Sequence, residues 1–481
     1  MSQAMALFHV SVWICVFLLF PSCYVFQTPC KPCQTSQDCA GKQQCKKLEG
    51  QETGACINEE QSYLCTGFVC KNGDSRLCYS GPAGTEGKSK CQAGFRVCVN
   101  NAWGPCQNEV LPGIERCNGE DDDCDGLIDE GVLCVTTLAG GNQGYENGLG
   151  RNARFNEPRG LVRSNDGSLY VSDSLNARIR KIEFKGEVDI EVQVLHWAGV
   201  GPSTKLEDGF RLSRAAFGQP RGITLDSKGN LYVADAKFQA IRKIDTGDQV
   251  TTLSGPKGTP CKLSNNGPDV WFEPTGIVFG QDDSLWIANT QAHQLYKLKG
   301  LERDTCEVEL VVGSTQCREN PQASNCYKDG VAKEAQFWDP SGVAIDTGGN
   351  VYLADYNNNM IRKIDKTGNV TTVAGGGSQN PGFKDGKGTE ARFRFPRGIA
   401  IDTQGILYIA DTDNHAIRKI DKEGNVTTLA GTGKKGFQDG DGKLAQFHTP
   451  WAIAVDPQGN LYVADTKNHR IRKVTPQSDA L

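Results

Sequence analysis

The 481-residue sequence has no surplus of positive charge: 52 lysines and arginines stand against 57 aspartates and glutamates, for a net charge of −5 and a pI of about 5.8. A nucleic-acid partner normally shows as a basic face, so this balance gives no reason to expect one. It also has no apolar run as long as the roughly 20 residues of a membrane-spanning helix. The one segment that could meet a membrane, Val10 to Phe20, has eleven residues. No phosphate-binding loop, nucleotide fingerprint or Ser-His-Asp order is apparent, which disfavours catalysis without excluding it. What the chain does have is 56 glycines beside 38% hydrophobic residues, the balance of a turn-rich, soluble protein built mostly from strands. Its length exceeds that of one ordinary domain.

The eleven-residue run lies after a short N-terminal stretch, which makes it the apolar region of a secretion signal spanning residues 1–22. The stretch before it carries no Lys or Arg, and Met5 is an equally good start. Phe20-Pro21-Ser22-Cys23 resembles a bacterial lipoprotein signal, with Phe20 where leucine is usual. That resemblance implies lipid on Cys23. Of the 20 cysteines, 14 lie from Cys30 to Cys134 and four in the C-terminal part, at Cys261, Cys306, Cys317 and Cys326. Both sets are even if Cys23 is lipidated. Such density belongs to an oxidising compartment. The expectation is an exported protein, either a lipoprotein of the outer membrane or cell surface, meeting the membrane only through its N-terminal lipid, or a secreted one.

After Cys134 the chain repeats itself. Strands of the type Leu-Tyr-Val-Ala-Asp end at Asp173, Asp235, Asn289, Asp355, Asp411 and Asp465, spaced 62, 54, 66, 56 and 54 residues apart. Each unit contains four short β-rich runs divided by Gly, Asp and Asn turns, the make-up of a propeller blade. The marks P-x-G, LYVAD, NHxIRKI and VTTLAG resemble the NHL repeat family, whose likeness covers residues 135–476 and implies an all-β, six-bladed NHL-type β-propeller preceded by a small disulfide-rich segment. Val135 to Gly140 reads as a VTTLAG strand without its own blade, and the last unit lacks one, so the first strand completes the last blade. Five units pair an Asp with an Arg seven residues on: Asp173–Arg180, Asp235–Arg242, Asp355–Arg362, Asp411–Arg418 and Asp465–Arg472. The third changes both, to Asn289 and Tyr296, as a buried structural pair would require. The GF-x-DG stretches at Gly382–Gly386 and Gly436–Gly440 read as tight turns, with their Phe383 and Phe437 and the following Phe393 and Phe447 packed between blades. His415 and His469 read as turn or surface residues rather than metal ligands.

Residues 23–60 form a first cysteine-rich segment and 61–134 a second, both held by disulfides for want of a core; residues 477–481 are a tail. The second contains Cys117-Asn-Gly-Glu-Asp-Asp-Asp-Cys124-Asp-Gly-Leu-Ile-Asp-Glu130. Asp121, Asp123, Asp125, Asp129 and Glu130 follow the D-x-D-x-D-G pattern of a calcium loop, though Val132 stands where an EF-hand has its glutamate. The stretch is similar to a cysteine-bracketed metal-binding motif of secreted bacterial proteins, and hard oxygen ligands favour a structural Ca²⁺. A solvated acidic turn is the alternative. Cys117 and Cys124 read as a disulfide clamp; Cys261 with Cys306 and Cys317 with Cys326 read as loop staples.

In a propeller the residue between Pro and Gly should reach the channel mouth. Those positions hold Arg159, Arg221, Thr275, Ser341, Arg397 and Trp451. Guanidinium groups favour carboxylates and phosphates, so the ring could take an anionic ligand or an acidic protein segment; pairing with neighbouring carboxylates is the bland alternative. The propeller also resembles that of peptidyl-α-hydroxyglycine α-amidating lyase, which implies zinc-binding histidines at this inner position. None of the six is histidine, and His293, His415 and His469 lie elsewhere in the repeat. Nor is there a set of converging carboxylates of the kind a lactonase-type propeller needs. The reading is an exported or cell-surface binding or scaffold protein recognising a protein, a glycan (polysaccharide) or an anionic ligand. A propeller enzyme of lyase or lactonase type with a channel metal is the alternative.

Overall fold

The computed structural model describes the backbone of residues 32–33, 44–46 and 54–57, and residues 70–475 except 101, 130, 186–190, 256–260, 264–270, 302–305 and 314–325. The signal segment, Cys23, Glu130 and Cys317 lie outside the described residues. Among those described, no helix is long and apolar enough to cross a membrane.

The chain divides into two compact units, residues 1–87 with 91–111 and residues 88–90 with 112–481. The boundary therefore falls after Leu111 rather than at 134, and the acidic loop folds with the propeller. The first unit holds two small sheets, one of Pro32–Cys33, Gly54–Ile57 and Gln44–Lys46, the other of Ser75–Cys78, Gly94–Val99 and Ala102–Trp103. Disulfides Cys70–Cys98 and Cys78–Cys106 cross the second sheet, where buried apolar side chains are few.

The second unit is six sheets of five strands each. Four are the strands the repeat predicts; the fifth is a two- or three-residue strand at the outer edge, such as Gly386–Lys387 in blade 5. In blade 3 that outer strand, Cys261–Leu263, runs parallel to its neighbour, and the Cys261–Cys306 disulfide ties the two. The P-x-G strands are innermost and touch one another in cyclic order, blade 6 meeting blade 1. Closure is by Cys134–Gly140, which lies antiparallel to Arg470–Thr475 with Val135 opposite Val474 and Ala139 opposite Ile471.

The P-x-G glycines have a packing cause. A Cβ at Gly160, Gly222, Gly276, Gly342 or Gly398 would strike the carbonyl oxygen of Arg221, Thr275, Ser341, Arg397 or Trp451 in the next blade. Blade faces are buried on both sides: the cores lie between blades, as where Phe393 joins Ile361 of blade 4 to Ile409 of blade 5. Phe155, Phe217, Phe337, Phe393 and Phe447 are fully buried, each contributing about 1.5–3 kcal/mol through removal from water. Phe383 and Phe437 of the GF-x-DG stretches instead stay about two-fifths exposed, with the guanidinium carbons of Arg418 and Arg472 5.0 and 5.1 Å from their ring centroids.

The repeated ion pairs are internal to each blade. Arg180, Arg362, Arg418 and Arg472 lie 2.9, 2.8, 2.8 and 2.7 Å from Asp173, Asp355, Asp411 and Asp465, all fully buried. Arg242 is farther from Asp235, at 3.7 Å, because both carboxylate oxygens of Asp235 accept backbone N–H groups, of Gly218 and Gln219. Each arginine also donates to two outer-loop carbonyls, as Arg418 does to Arg392 and Lys384. The aspartate of the DG turn serves too: Asp385 accepts from Arg418 and from the Thr428 hydroxyl. It is thus a tie between strands as well as a turn residue.

Candidate ligand site at the mouth of the propeller channel

The strand from Pro to the turn brings the six inner residues to one end of the axis. Arg159, Thr275, Ser341, Arg397 and Trp451 line one small cavity of about 80 Å³. Arg221 completes the ring, its guanidinium carbon 5.9 Å from the Trp451 ring centroid. Arg159 and Arg397 stand closer to the same indole, at 4.5 and 3.8 Å, so three cations gather around one aromatic ring. The sequence places these residues at equivalent repeat positions; their convergence on Trp451 is a product of the ring.

Two of the three arginines have carboxylate partners. Arg159 pairs with Glu157 at 2.6 Å, and Glu157 also takes Lys467 at 2.5 Å. Arg221 pairs with Glu273 at 3.2 Å and donates to Gln219. Arg397 has none among the described residues; its guanidinium carbon lies 3.8 Å from the centroid of Trp451 and 3.9 Å from that of Tyr356. Burial lowers its pKa to about 10; Tyr356 opposes that shift, and the neighbouring Arg221 and Arg159 add to it. Burial likewise lowers that of Arg221.

The acids of this mouth were missed in the sequence, although the signal was there: Glu157, Glu273 and Asp339 each directly precede the proline of the motif. These three, with Phe395 and Thr449, hold left-handed backbone at φ of 50–53°. A non-glycine residue before proline pays for that conformation at about 1–3 kcal/mol. The neighbouring blade holds it in place. The Glu157, Asp339 and Thr449 N–H groups donate to Nδ1 of His469, His293 and His415, at 3.2, 3.1 and 3.2 Å. In blade 4 Asn359 does the same for Phe395 at 2.8 Å. These histidines are turn residues with a task, each latching its blade to the next.

Burial lowers the pKa of His415 and His469. Their stabilising contribution is therefore present above the unfolded value, about 6.5, and is lost as pH falls below it. Hydrogen exchange at the Thr449 and Glu157 amides, compared with Phe395 as the titration-insensitive control, should lose protection between about pH 7 and 5. Equal protection ratios across that range would refute the latch.

The acidic loop differs from the set read in the sequence. Asp121 and Asp123 converge with Glu115, their oxygens within 4.8 Å of one another. Asp125 is exposed and accepts the Leu127 N–H, while Asp129, at φ 54°, accepts those of Asn118 and Gly119; neither joins the group. A local Asx turn claims Asp125, and the backbone at the start of the loop claims Asp129. Glu115 and Asp121 are buried, and no lysine or arginine pairs with either among the described residues. Lys90 pairs instead with Asp122. Cys117 bonds Cys134, not Cys124, which is itself disulfide-bonded and fully buried. The bridge so formed fastens the loop to the start of the closing strand rather than clamping the loop on itself.

The family model of the teneurin NHL domain matches residues 261–382 and 376–438, and that of the NHL repeat matches 447–474. Protein SUPPRESSOR OF QUENCHING 1, chloroplastic, of Arabidopsis thaliana is 33% identical over 56% of this chain and 26% of its own length. NHL repeat-containing protein 2 of Gallus gallus is 33% identical over 58% of this chain and 42% of its own. The chain thus spans less than half the length of these relatives. A solved auxiliary nutrient binding protein of Bacteroides ovatus shares the fold at 18% identity, with a TM-score of 0.52 over 90% of this chain and 88% of that one. Together with the six-sheet ring, these matches make the C-terminal unit a β-propeller of NHL-type repeats.

Proposed function

We propose that this is an exported or cell-surface binding protein whose propeller recognises its partner, a protein or polysaccharide, at the ring of Arg159, Arg221, Thr275, Ser341, Arg397 and Trp451. The observation that carries this reading is three guanidinium groups gathered on one indole, one of them without a carboxylate partner. Such a cluster of like charge costs stability and suits an anion. Export is supported by the disulfides on both sides of Cys134 and by the apolar N-terminal run, and lipid attachment by Cys23 behind it. A propeller enzyme is the second class; its channel metal would need donors that guanidinium and indole groups do not supply.

Capture from envelope and culture fractions tests the binding reading. Residues 24–481 should retain a specific macromolecule that the Arg159→Ala/Arg221→Ala/Arg397→Ala variant does not. Equal capture by both would move recognition off the ring.

The acidic loop fits a structural Ca²⁺ held by Glu115, Asp121 and Asp123, hard oxygen donors of which two are buried without a cationic partner. Calcium should then raise the melting temperature, by the equivalent of about 2.7 kcal/mol at a hundredfold excess over Kd. Asp121→Asn should abolish the rise. Identical melting in calcium and in chelator would refute it.

A further inference from the structure

We propose that the mouth selects a single carboxylate group, bound by Arg397 with the Ser341 hydroxyl as second donor, and discriminates against phosphate. This rests on the ring being the recognition site.

Four observations lead there. The first is Arg397 itself. Aromatic rings on Trp451 and Tyr356 lie 3.8 and 3.9 Å from its guanidinium carbon, and no carboxylate pairs with it. One side of the guanidinium also bonds the Tyr356 side chain, and its remaining in-plane N–H groups can meet a planar, two-oxygen acceptor. The second is Ser341, 1% exposed, in the adjoining blade and lining the same cavity, whose Oγ has no hydrogen-bond partner. Nε of Arg159 and Arg221 have none either, but they share that with Nε of the blade-internal Arg180, Arg242, Arg362 and Arg418, so the hydroxyl is the telling atom. A buried hydroxyl without a partner is uncommon, and one lining this opening marks where a ligand's polar atom belongs.

The third is size. About 80 Å³ is less than the share of three liquid waters at about 30 Å³ each. It lies far below the roughly 300 Å³ at which small-molecule pockets begin, so only one ionic head enters. The fourth is charge. Glu157 balances Arg159, and Glu273 balances Arg221. Asp339, two residues before Ser341, is held by His293 and Asn357, and the one lysine of the mouth, Lys467, pairs with Glu157. One positive charge, that of Arg397, is left over. A monoanion neutralises it, whereas a phosphate dianion would bring a second negative charge beside Glu157, Glu273 and Asp339.

The test is calorimetric titration of the whole exported chain at constant ionic strength with three probes: propionate, a terminally blocked peptide carrying one glutamate, and inorganic phosphate. Saturable binding of propionate or of the peptide is expected, with phosphate at least tenfold weaker. Tightest binding by propionate would mean a free small acid, and by the peptide an acidic protein segment. Arg397→Gln should weaken the carboxylate at least tenfold. Arg397→Lys, which keeps charge and loses the fork, should recover little of it. Ser341→Ala guards against a folding defect in the arginine variants and should weaken binding several-fold with an unchanged melting temperature. The inference is overturned by no saturable binding of either carboxylate probe, by phosphate binding as tightly, or by an affinity indifferent to Arg397. If the carboxylates fail while the triple-alanine variant still loses its captured macromolecule, this inference falls and the recognition reading stands.

Discussion

Arg418→Tyr is expected to lose about 3–5 kcal/mol of propeller stability, and the double variant Asp411→Asn/Arg418→Tyr to regain more than half of that loss. Asp411 and Arg418 are wholly buried and 2.8 Å apart. Burial pushes the Asp411 carboxyl up to about 6, against the lowering effect of the guanidinium and the hydrogen bonds beside it. Removing Arg418 strands a carboxylate in the blade and orphans the carbonyls of Arg392 and Lys384. The double variant has a precedent inside the molecule. In blade 3, Asn289 Oδ1 accepts the Phe272 N–H at 2.7 Å, as Asp411 Oδ1 accepts that of Arg394 at 2.8 Å. Tyr296 fills the arginine position, its hydroxyl donating to Gln294. Urea midpoints at constant m-value measure both variants. A double variant no more stable than the single one would show that the pair is not the unit that changes in blade 3.

Removing residues 1–140 is expected to abolish cooperative unfolding. The deletion takes Val135, Leu138 and Ala139 out of the cores that join blade 6 to blades 5 and 1. Two large aliphatic side chains contribute about 1.5–3 kcal/mol each, and the lost ladder bares the whole edge of Arg470–Thr475. Against a total stability of about 5–15 kcal/mol, that is enough to open the ring. A circular permutant carrying residues 134–140 after residue 475 through a short glycine-serine linker should refold, because the strand returns to the same register. Calorimetry distinguishes the two. A truncated chain that melts as one sharp transition, or a permutant that does not, contradicts closure by this strand.

Much of this architecture was legible in the residues alone. The recurrence of LYVAD, the count of six and the strand missing from the last unit together specify the ring. The joint change at Asn289 and Tyr296 marks the Asp–Arg pairs as internal. Such features are local or repeated, so a period in sequence becomes a period in space. The fifth strand of each blade escaped notice because two residues carry no period.

The mouth and the acidic loop depended on the tertiary structure. Repeat alignment identifies which residues face the channel, but not that three arginines from three blades converge on Trp451, or that Arg397 alone finds no carboxylate. Those contacts join residues 54 or more positions apart, and rotation about the axis brings them together. At the loop, D-x-D-x-D-G suggested consecutive ligands, yet an Asx turn took Asp125 and the backbone of Asn118 and Gly119 took Asp129, while Glu115, before the motif, supplied the third carboxylate. Cys117 likewise reached past the nearer Cys124 to Cys134, on the closing strand. Sequence by itself determined the strands, the repeat and the closure, because short β-rich runs and turn residues act over a few positions. Only the tertiary structure decided which charged groups meet, because side-chain partners are chosen by distance across the ring and not by spacing along the chain.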